Sequence, residues 1–191
     1  MEVEMGEMSL IDTVVMAIWL MLPAYIANGA AAFFGGIFGR TPIDMRRNLR
    51  KNRILGDGKT YEGFLFGVSA GLLVGTLQQF SAKSLRMPEF SANADFASVV
   101  LLCLCVGALL GDIAASFVKR RLGLRRGALF PLLDQLDFVA GAWLFLFAFA
   151  REWFLANFTL SVAIAVILLT PPLHLLTNFL GFKMRLKREA W

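Results

Sequence analysis

Apolar residues in this chain gather in long, largely unbroken runs rather than in strict alternation or a narrow helical stripe. Five runs stand out, at about 10–34, 62–80, 96–118, 138–156 and 159–180. Each is close to the roughly 20 residues that an α-helix needs to cross a hydrocarbon core of about 30 Å. Only helices and closed barrels satisfy their own backbone groups in lipid, and runs without a period of two select helices. The pattern predicts an all-α polytopic membrane protein with five transmembrane helices, forming a single domain over 1–191. The polar stretches at about 37–61 and 119–137 are too short for a separate soluble domain.

Details within the runs refine this picture. Gly63, Gly67, Gly71 and Gly75 recur every four residues and predict a flat stripe for tight helix contact. The first run ends in a small-residue tract from Asn28 to Gly36. Asn28 is polar within lipid, and it reads either as an interhelical hydrogen bond or as a substrate contact near the inner end of the helix. The last run carries Pro171-Pro172, which predicts a break or kink that frees backbone carbonyls. His174 and Asn178 follow at i and i+4 on one face; the lone histidine reads more readily as a packed, hydrogen-bonded residue than as a base. Cys103 and Cys105 lie two apart in one run and project from different faces, so they read as small packers rather than a disulfide.

Composition agrees with the runs. The chain is 58% hydrophobic, above the roughly 45–50% of a soluble domain. The acidic leader MEVEMGEMSLID lacks the basic character of a signal peptide, and the run after it is too long for one. Charge then supplies orientation. Of the 19 lysines and arginines, seven lie in 40–59, five in 119–126 and four in 183–188. The positive-inside rule places those segments and the C-terminus in the cytoplasm and the N-terminus outside, as an odd number of spans requires. The net charge of +5 follows from this asymmetry and from attraction to anionic lipid, and does not signal nucleic acid.

Candidate chemistry begins with Asp112, a carboxylate inside the third run. Such a residue costs about 2.5–3.5 kcal/mol on insertion scales, so it needs a partner or a task. Asp112, Ser116 and Lys119 fall at i, i+4 and i+7 and share one helix face, ending in the cluster Lys119-Arg120-Arg121. Arg125, Arg126 and Pro131 follow, and then Asp134 and Asp137, a second acidic pair at helical spacing. Carboxylates that can hold a divalent cation, beside cations that can hold phosphate, point to metal-assisted phosphoryl chemistry at a membrane surface.

The first polar stretch adds a second phosphate-binding candidate. Pro42 predicts the start of a short basic helix on the membrane surface. After it, Gly56-Asp57-Gly58-Lys59-Thr60 forms a turn that either cradles phosphate or caps the second span. It is not a P-loop, because Arg53 occupies the position of that motif's first glycine and no strand precedes it.

Gly111-Asp112-x3-Ser116-x2-Lys119-Arg120, followed by Pro131 and Asp134-x2-Asp137, resembles the signature of CDP-diacylglycerol synthases. The chain lacks that family's His-Gly-Gly before the closing pair and has Arg125-Arg126 where Lys-Asp is usual. It is more similar to the small CDP-archaeol synthases through Pro23-Ala-Tyr-Ile-Ala-Asn28, Pro42-Ile-Asp44 and Gly56-Asp57-Gly58-Lys59-Thr60-x2-Gly63. The resemblance implies a magnesium-dependent cytidylyltransferase of the cell membrane. Its substrates would be CTP and 2,3-bis-O-geranylgeranylglycerol 1-phosphate, a phosphorylated isoprenoid ether glycerolipid, and its products a CDP-lipid and pyrophosphate. On this reading Asp112, Asp134 and Asp137 hold one or two Mg²⁺ ions and act with Lys119 in catalysis. Lys59, Thr60, Ser116, Arg120, Arg125 and Arg126 bind the nucleotide phosphates, and Asn28 and Asn178 face the lipid.

Two other classes compete. A small ion or solute transporter would use Asp112, His174 and the interrupted last span as a path, but no internal repeat or matching broken helix appears. A CTP-dependent polyprenol kinase needs the same nucleotide, metal and lipid nucleophile, so only the products separate it from a cytidylyltransferase.

Overall fold

The computed structural model describes residues 9–49, 52–124 and 133–183. Helix α1 spans Leu10–Phe38, α2 Tyr61–Leu85, α3 Ala94–Arg121, α4 Leu133–Phe149, α5 Arg151–Asn157 and α6 Leu160–Lys183. Two short strands, β1 at Asn48–Leu49 and β2 at Asn52–Arg53, form an antiparallel hairpin between α1 and α2. The first three helices open on side-chain caps. The Oγ of Ser9 accepts from the Asp12 N–H at 3.1 Å, Thr60 Oγ1 from Gly63 N–H at 3.1 Å, and Asn93 Oδ1 from Phe96 N–H at 3.0 Å. Each cap satisfies a donor that the first helical turn leaves open.

Among the described residues, four helices are long and apolar enough to cross a membrane: α1, α2, α3 and, over Leu160–Phe179, α6. Helix α4 is shorter than the sequence pattern predicts. The expected span 138–156 is split at Ala150, whose φ of −143° and ψ of 43° end α4 before the exposed pair Arg151 and Glu152. Beyond the break Arg151 lies on the surface with its guanidinium 4.9 Å from the Phe147 ring.

The glycine stripe of α2 does what its spacing predicts. A Cβ at Gly63 would lie 2.8 Å from the Ala31 carbonyl, one at Gly67 2.7 Å from that of Ala27, and one at Gly71 2.7 Å from that of Pro23. Helix α1 therefore lies backbone to backbone along α2, a contact that any side chain would push apart. On the other side, Cys105 and Leu101 of α3 close over Gly71 and Gly75, and both cysteines are free and buried. The core lies where α1, α3 and α4 meet, around Leu20, Met21, Val100, Leu104, Phe138 and Leu146. At the end remote from the hairpin, Trp19 Nε1 donates to the Pro88 carbonyl and Gln79 Nε2 to that of Ser91, fastening the α2–α3 connection.

Two further expectations are corrected. The segment after Pro42 is not a surface helix: Pro42 bridges to Thr60, and the chain between turns through the β1–β2 hairpin. Met45 and Arg46 adopt φ of 48° and 60°, so no helix can form there. The double proline does not interrupt the last helix either, for α6 runs through Pro171 and Pro172. The prolines cost the hydrogen bonds their missing N–H groups would make. Thr170, just before them, is anchored by its hydroxyl, which donates to the Val166 carbonyl at 2.6 Å.

Candidate active site

The site forms where the C-terminal end of α3 and the N-terminal end of α4 meet the loop between α1 and α2. Asp112 projects from α3 one turn before Ser116 and two turns before Lys119, as their spacing predicts. Lys59, from the residue before the α2 cap, reaches across, and its Nζ donates to Asp112 Oδ2. Lys119 Nζ donates to Asp134 Oδ1 on α4 at 2.8 Å. Both pairs are partly buried, with side-chain exposures between 16% and 24%, so they are screened less than surface pairs yet remain open to a polar ligand. Asp137 is buried one turn further along α4, within electrostatic range of Asp112, Lys59 and Lys119.

Backbone proximity makes this meeting possible. A Cβ on Gly111 would strike the Asp137 carbonyl and stand 2.9 Å from Gly141 Cα; one on Gly141 would stand 2.6 Å from Gly111 Cα. Helices α3 and α4 thus touch at Gly107, Gly111 and Gly141, and the residues beside Gly111 and at Asp137 are brought into one small volume. Sequence reasoning missed this role. Its signal was the Gly107-x3-Gly111 spacing, the same small-residue rule that exposed the α2 stripe.

The other candidates divide. Ser116 is buried on the site face of α3. Thr60 is buried as the cap of α2, its hydroxyl against Gly35 and Gly63, so the capping alternative describes its side chain. Arg120 reaches forward to the residues after α3, donating from Nη1 to the Leu124 carbonyl at 2.6 Å. Arg125 and Arg126, and Pro131, lie outside the described residues. On the α6 side, Asn178 is buried and hydrogen-bonds His174 through Nδ2···Nδ1 at 3.2 Å. The His174 ring stacks on Phe138, next to Asp137, with centroids 6.4 Å apart. Phe138 also meets the edge of Tyr25, whose hydroxyl bonds Thr170 Oγ1 at 2.8 Å. Asn28 is half-buried one turn beyond Tyr25 on α1 and makes no side-chain hydrogen bond among the described residues.

The loop carrying Lys59 has its own internal frame, also missed in the sequence. Asp44 is buried at its centre and accepts from Arg53 Nε at 3.1 Å and Nη2 at 2.7 Å, and from the N–H groups of Arg46, Leu55 and Gly56. Burial opposes its charge, but the Arg53 guanidinium and the three backbone donors outweigh burial and hold its carboxyl well below the usual carboxylate range. Arg53 is raised in return, chiefly by its hydrogen bonds to Asp44.

Among the described residues, no three His, Cys, Asp or Glu side chains gather closely enough to form a metal cage. Asp112 and Asp137 instead stand on two helices whose backbones touch beside them at Gly111, and both offer hard carboxylate oxygens. That fits magnesium, which is commonly held by one or two carboxylates together with the phosphates of a nucleotide.

Similarity to known proteins identifies the family to which a chain with these helices belongs. The family model for CarS-like CDP-archaeol synthases matches residues 10–191. The chain belongs to the CDP-archaeol synthase family. The CDP-archaeol synthase of Methanosarcina acetivorans is 48% identical over 178 residues, covering 90% of this chain and all of that protein. Those of Methanocella arvoryzae and Natronomonas pharaonis are 49% and 47% identical, over 90% and 94% of this chain. A solved intramembrane enzyme for archaeal membrane lipid biosynthesis is 40% identical and superposes with a TM-score of 0.68, covering 86% of this chain and 94% of that one. Membership makes this a membrane enzyme, a CTP-dependent nucleotidyltransferase of archaeal lipid synthesis, and it favours that reading over the transporter and the polyprenol kinase.

Proposed function

We propose that this member of the family joins CTP to 2,3-bis-O-geranylgeranylglycerol 1-phosphate, releasing pyrophosphate. A lipid phosphate oxygen attacks the α-phosphorus of CTP, the bond from that phosphorus to the bridging oxygen breaks, and pyrophosphate leaves with the electron pair. A phosphate monoester is already anionic near neutral pH, so the nucleophile needs no base. The protein's work is then positioning and charge stabilisation.

The observation that carries this reading is the convergence of Lys59, Lys119, Asp112, Asp134 and Asp137 from three separate segments at one end of the bundle. Lys59 and Lys119 would take triphosphate oxygens, exchanging their present carboxylate partners for phosphate. Asp112 and Asp137, with Asp134 one turn before, would hold Mg²⁺, which when bound offsets the charge of the phosphate oxygens. Ser116 adds a hydroxyl on the same face, while Arg125 and Arg126 follow α3 as further cations for the nucleotide. Asn28 and Asn178 would face the lipid, whose tails enter from the bilayer.

The site faces the cytoplasm on this reading, where CTP is made. Sixteen of 19 lysines and arginines lie in 40–59, 119–126 and 183–188, the segments that the charge rule puts in the cytoplasm. Helix α4 would serve as a fifth crossing: its 17 residues span roughly 25 Å at about 1.5 Å each, close to a bilayer core.

The deciding experiment supplies the detergent-solubilised protein with labelled CTP and either ether-linked or ester-linked lipid phosphate. CDP-lipid and pyrophosphate are expected, with the ether lipid preferred. Lipid phosphate and CDP formed from an unphosphorylated lipid would instead establish a kinase.

A further inference from the structure

Arg121, the last residue of α3, touches none of the acidic groups of the site. Its guanidinium is committed elsewhere. Nη1 donates to the Leu49 carbonyl at 2.8 Å, and Nη2 to the Arg53 carbonyl at 2.7 Å and, more weakly, to that of Asn52 at 3.4 Å. Its opposite face lies 5.3 Å from the Phe117 ring, one helical turn back. The hairpin returns the contact, since Asn52 Nδ2 donates to the Arg120 carbonyl at 3.2 Å. A positive charge serving only to orient the protein has no need of such geometry. A planar fork backed by an aromatic ring can bridge carbonyls on both strands, which the single nitrogen of a lysine cannot.

From the hairpin the connection runs to the site without a gap. Arg53, whose carbonyl Arg121 holds, grips Asp44 with its side chain. The next residue back, Ile43, donates its N–H to the carbonyl of Lys59 at 2.9 Å, and Tyr61 donates to that of Thr41 at 3.0 Å. The backbone of Lys59 is thereby paired to the same frame that Arg121 fastens to α3. Asp112, which Lys59 meets, lies on α3 itself.

Resting on the reading of Lys59 as a nucleotide contact, we propose that Arg121 is a positioning residue for cytidylyl transfer. It ties the first loop to the end of α3 and through the Asp44 frame sets Lys59 opposite Asp112. Arg121 acts on CTP only through Lys59, and the lipid substrate does not depend on it.

The test separates the tie from its consequence. Asn48, exposed on β1, is changed to Cys in a chain whose Cys103 and Cys105 are replaced by alanine, and is labelled with a nitroxide. The label is expected to be immobile with Arg121 present. It should become mobile in Arg121→Ala, and also in Arg121→Lys, which keeps the charge and guards against an effect of charge loss alone. In the same proteins, kcat/KM for CTP should fall about tenfold or more, while the KM for the lipid phosphate stays within about twofold. Introduced into Lys59→Ala, Arg121→Ala should cost no more than about a further twofold. An unchanged nitroxide in Arg121→Ala overturns the tie. Losses that multiply in full overturn the relay through Lys59. If Lys59→Ala alone uses CTP normally, the reading of Lys59 fails and the relay with it, while the nitroxide still decides separately whether Arg121 holds the loop.

Discussion

The ammonium of Lys59, in the loop before α2, is paired with the carboxylate of Asp112, 53 residues later and within the long apolar helix α3. The contact gives the intramembrane carboxylate its partner. It also places a cation where a polyphosphate can take it over. Together with Lys119–Asp134, it pairs two of the site's three carboxylates with lysines that a nucleotide and its cation can exchange.

Asp112→Asn and Asp137→Asn are each expected to lower turnover at least about 100-fold, the scale of losing a charged group that stabilises a transferring phosphoryl group. Both variants keep the size of the side chain and should reach the membrane in normal amount. Turnover near that of the unmodified protein in either variant, at saturating Mg²⁺, would remove that residue from the metal set.

Lys59→Ala and Lys119→Ala should each raise the CTP concentration needed for half-maximal rate by about tenfold or more, since each removes a charge-assisted contact worth about 1.5–3 kcal/mol. Orientation should not change, because the remaining basic residues keep the charge asymmetry. Isothermal titration with CTP checks the effect apart from turnover. Unaltered binding in both would reduce these lysines to markers of topology.

Gly111→Ala should destabilise the protein by about 1–3 kcal/mol and depress activity further than stability alone explains. Its added methyl group meets the backbone of Asp137 and Gly141, which must move apart and carry Asp137 from Asp112. Gly36→Ala is the matched control, because a Cβ there has nothing within 4 Å. Thermal unfolding in detergent should separate the two; equal midpoints would mean that α3 and α4 do not pack through this glycine.

The Asp44–Arg53 frame should withstand mild acid. The folded carboxyl titrates below its unfolded value of about 3.9, so its stabilisation is complete above that value and is lost as pH falls through the lower, folded one. A nitroxide on position 48 should stay immobile from neutral pH down to about pH 4. Asp44→Asn should mobilise it already at pH 7, as removing one partner of a buried ion pair costs about 3 kcal/mol or more. Loosening of the unmodified loop near pH 6 would contradict the assignment of Asp44 as its charged centre.

Cysteines at positions 48 and 87 test the orientation. Position 48 should resist an impermeant reagent added outside intact cells, and position 87 should react. The reverse pattern would separate the site from its nucleotide.

The local order of the chain decided much of this protein in advance. Runs near 20 apolar residues determine helices because lipid offers backbone groups no other partners. The four-residue recurrence of Gly63, Gly67, Gly71 and Gly75 determined a contact face because helical geometry alone lines those positions up. The same regularity put Asp112, Ser116 and Lys119 on one side of α3. These are consequences of period and solvent, which act within a single segment.

What lay beyond reach depends on two segments at once. Pro42 carries no sign that its segment pairs with Thr60 and turns through a hairpin, because the stabilising donors come from Arg53, Leu55, Gly56 and, across the bundle, Arg121. The end of α4 at Ala150 was equally out of reach, as was the continuity of α6 through its two prolines, which a supported helix tolerates despite the missing donors. Which lysine meets which carboxylate was open as well, since propensity is blind to separations of 53 residues. Packing resolves it: Gly111 and Gly141 bring two backbones together, and Lys59 is carried to Asp112 by a loop whose frame is assembled only in the folded chain.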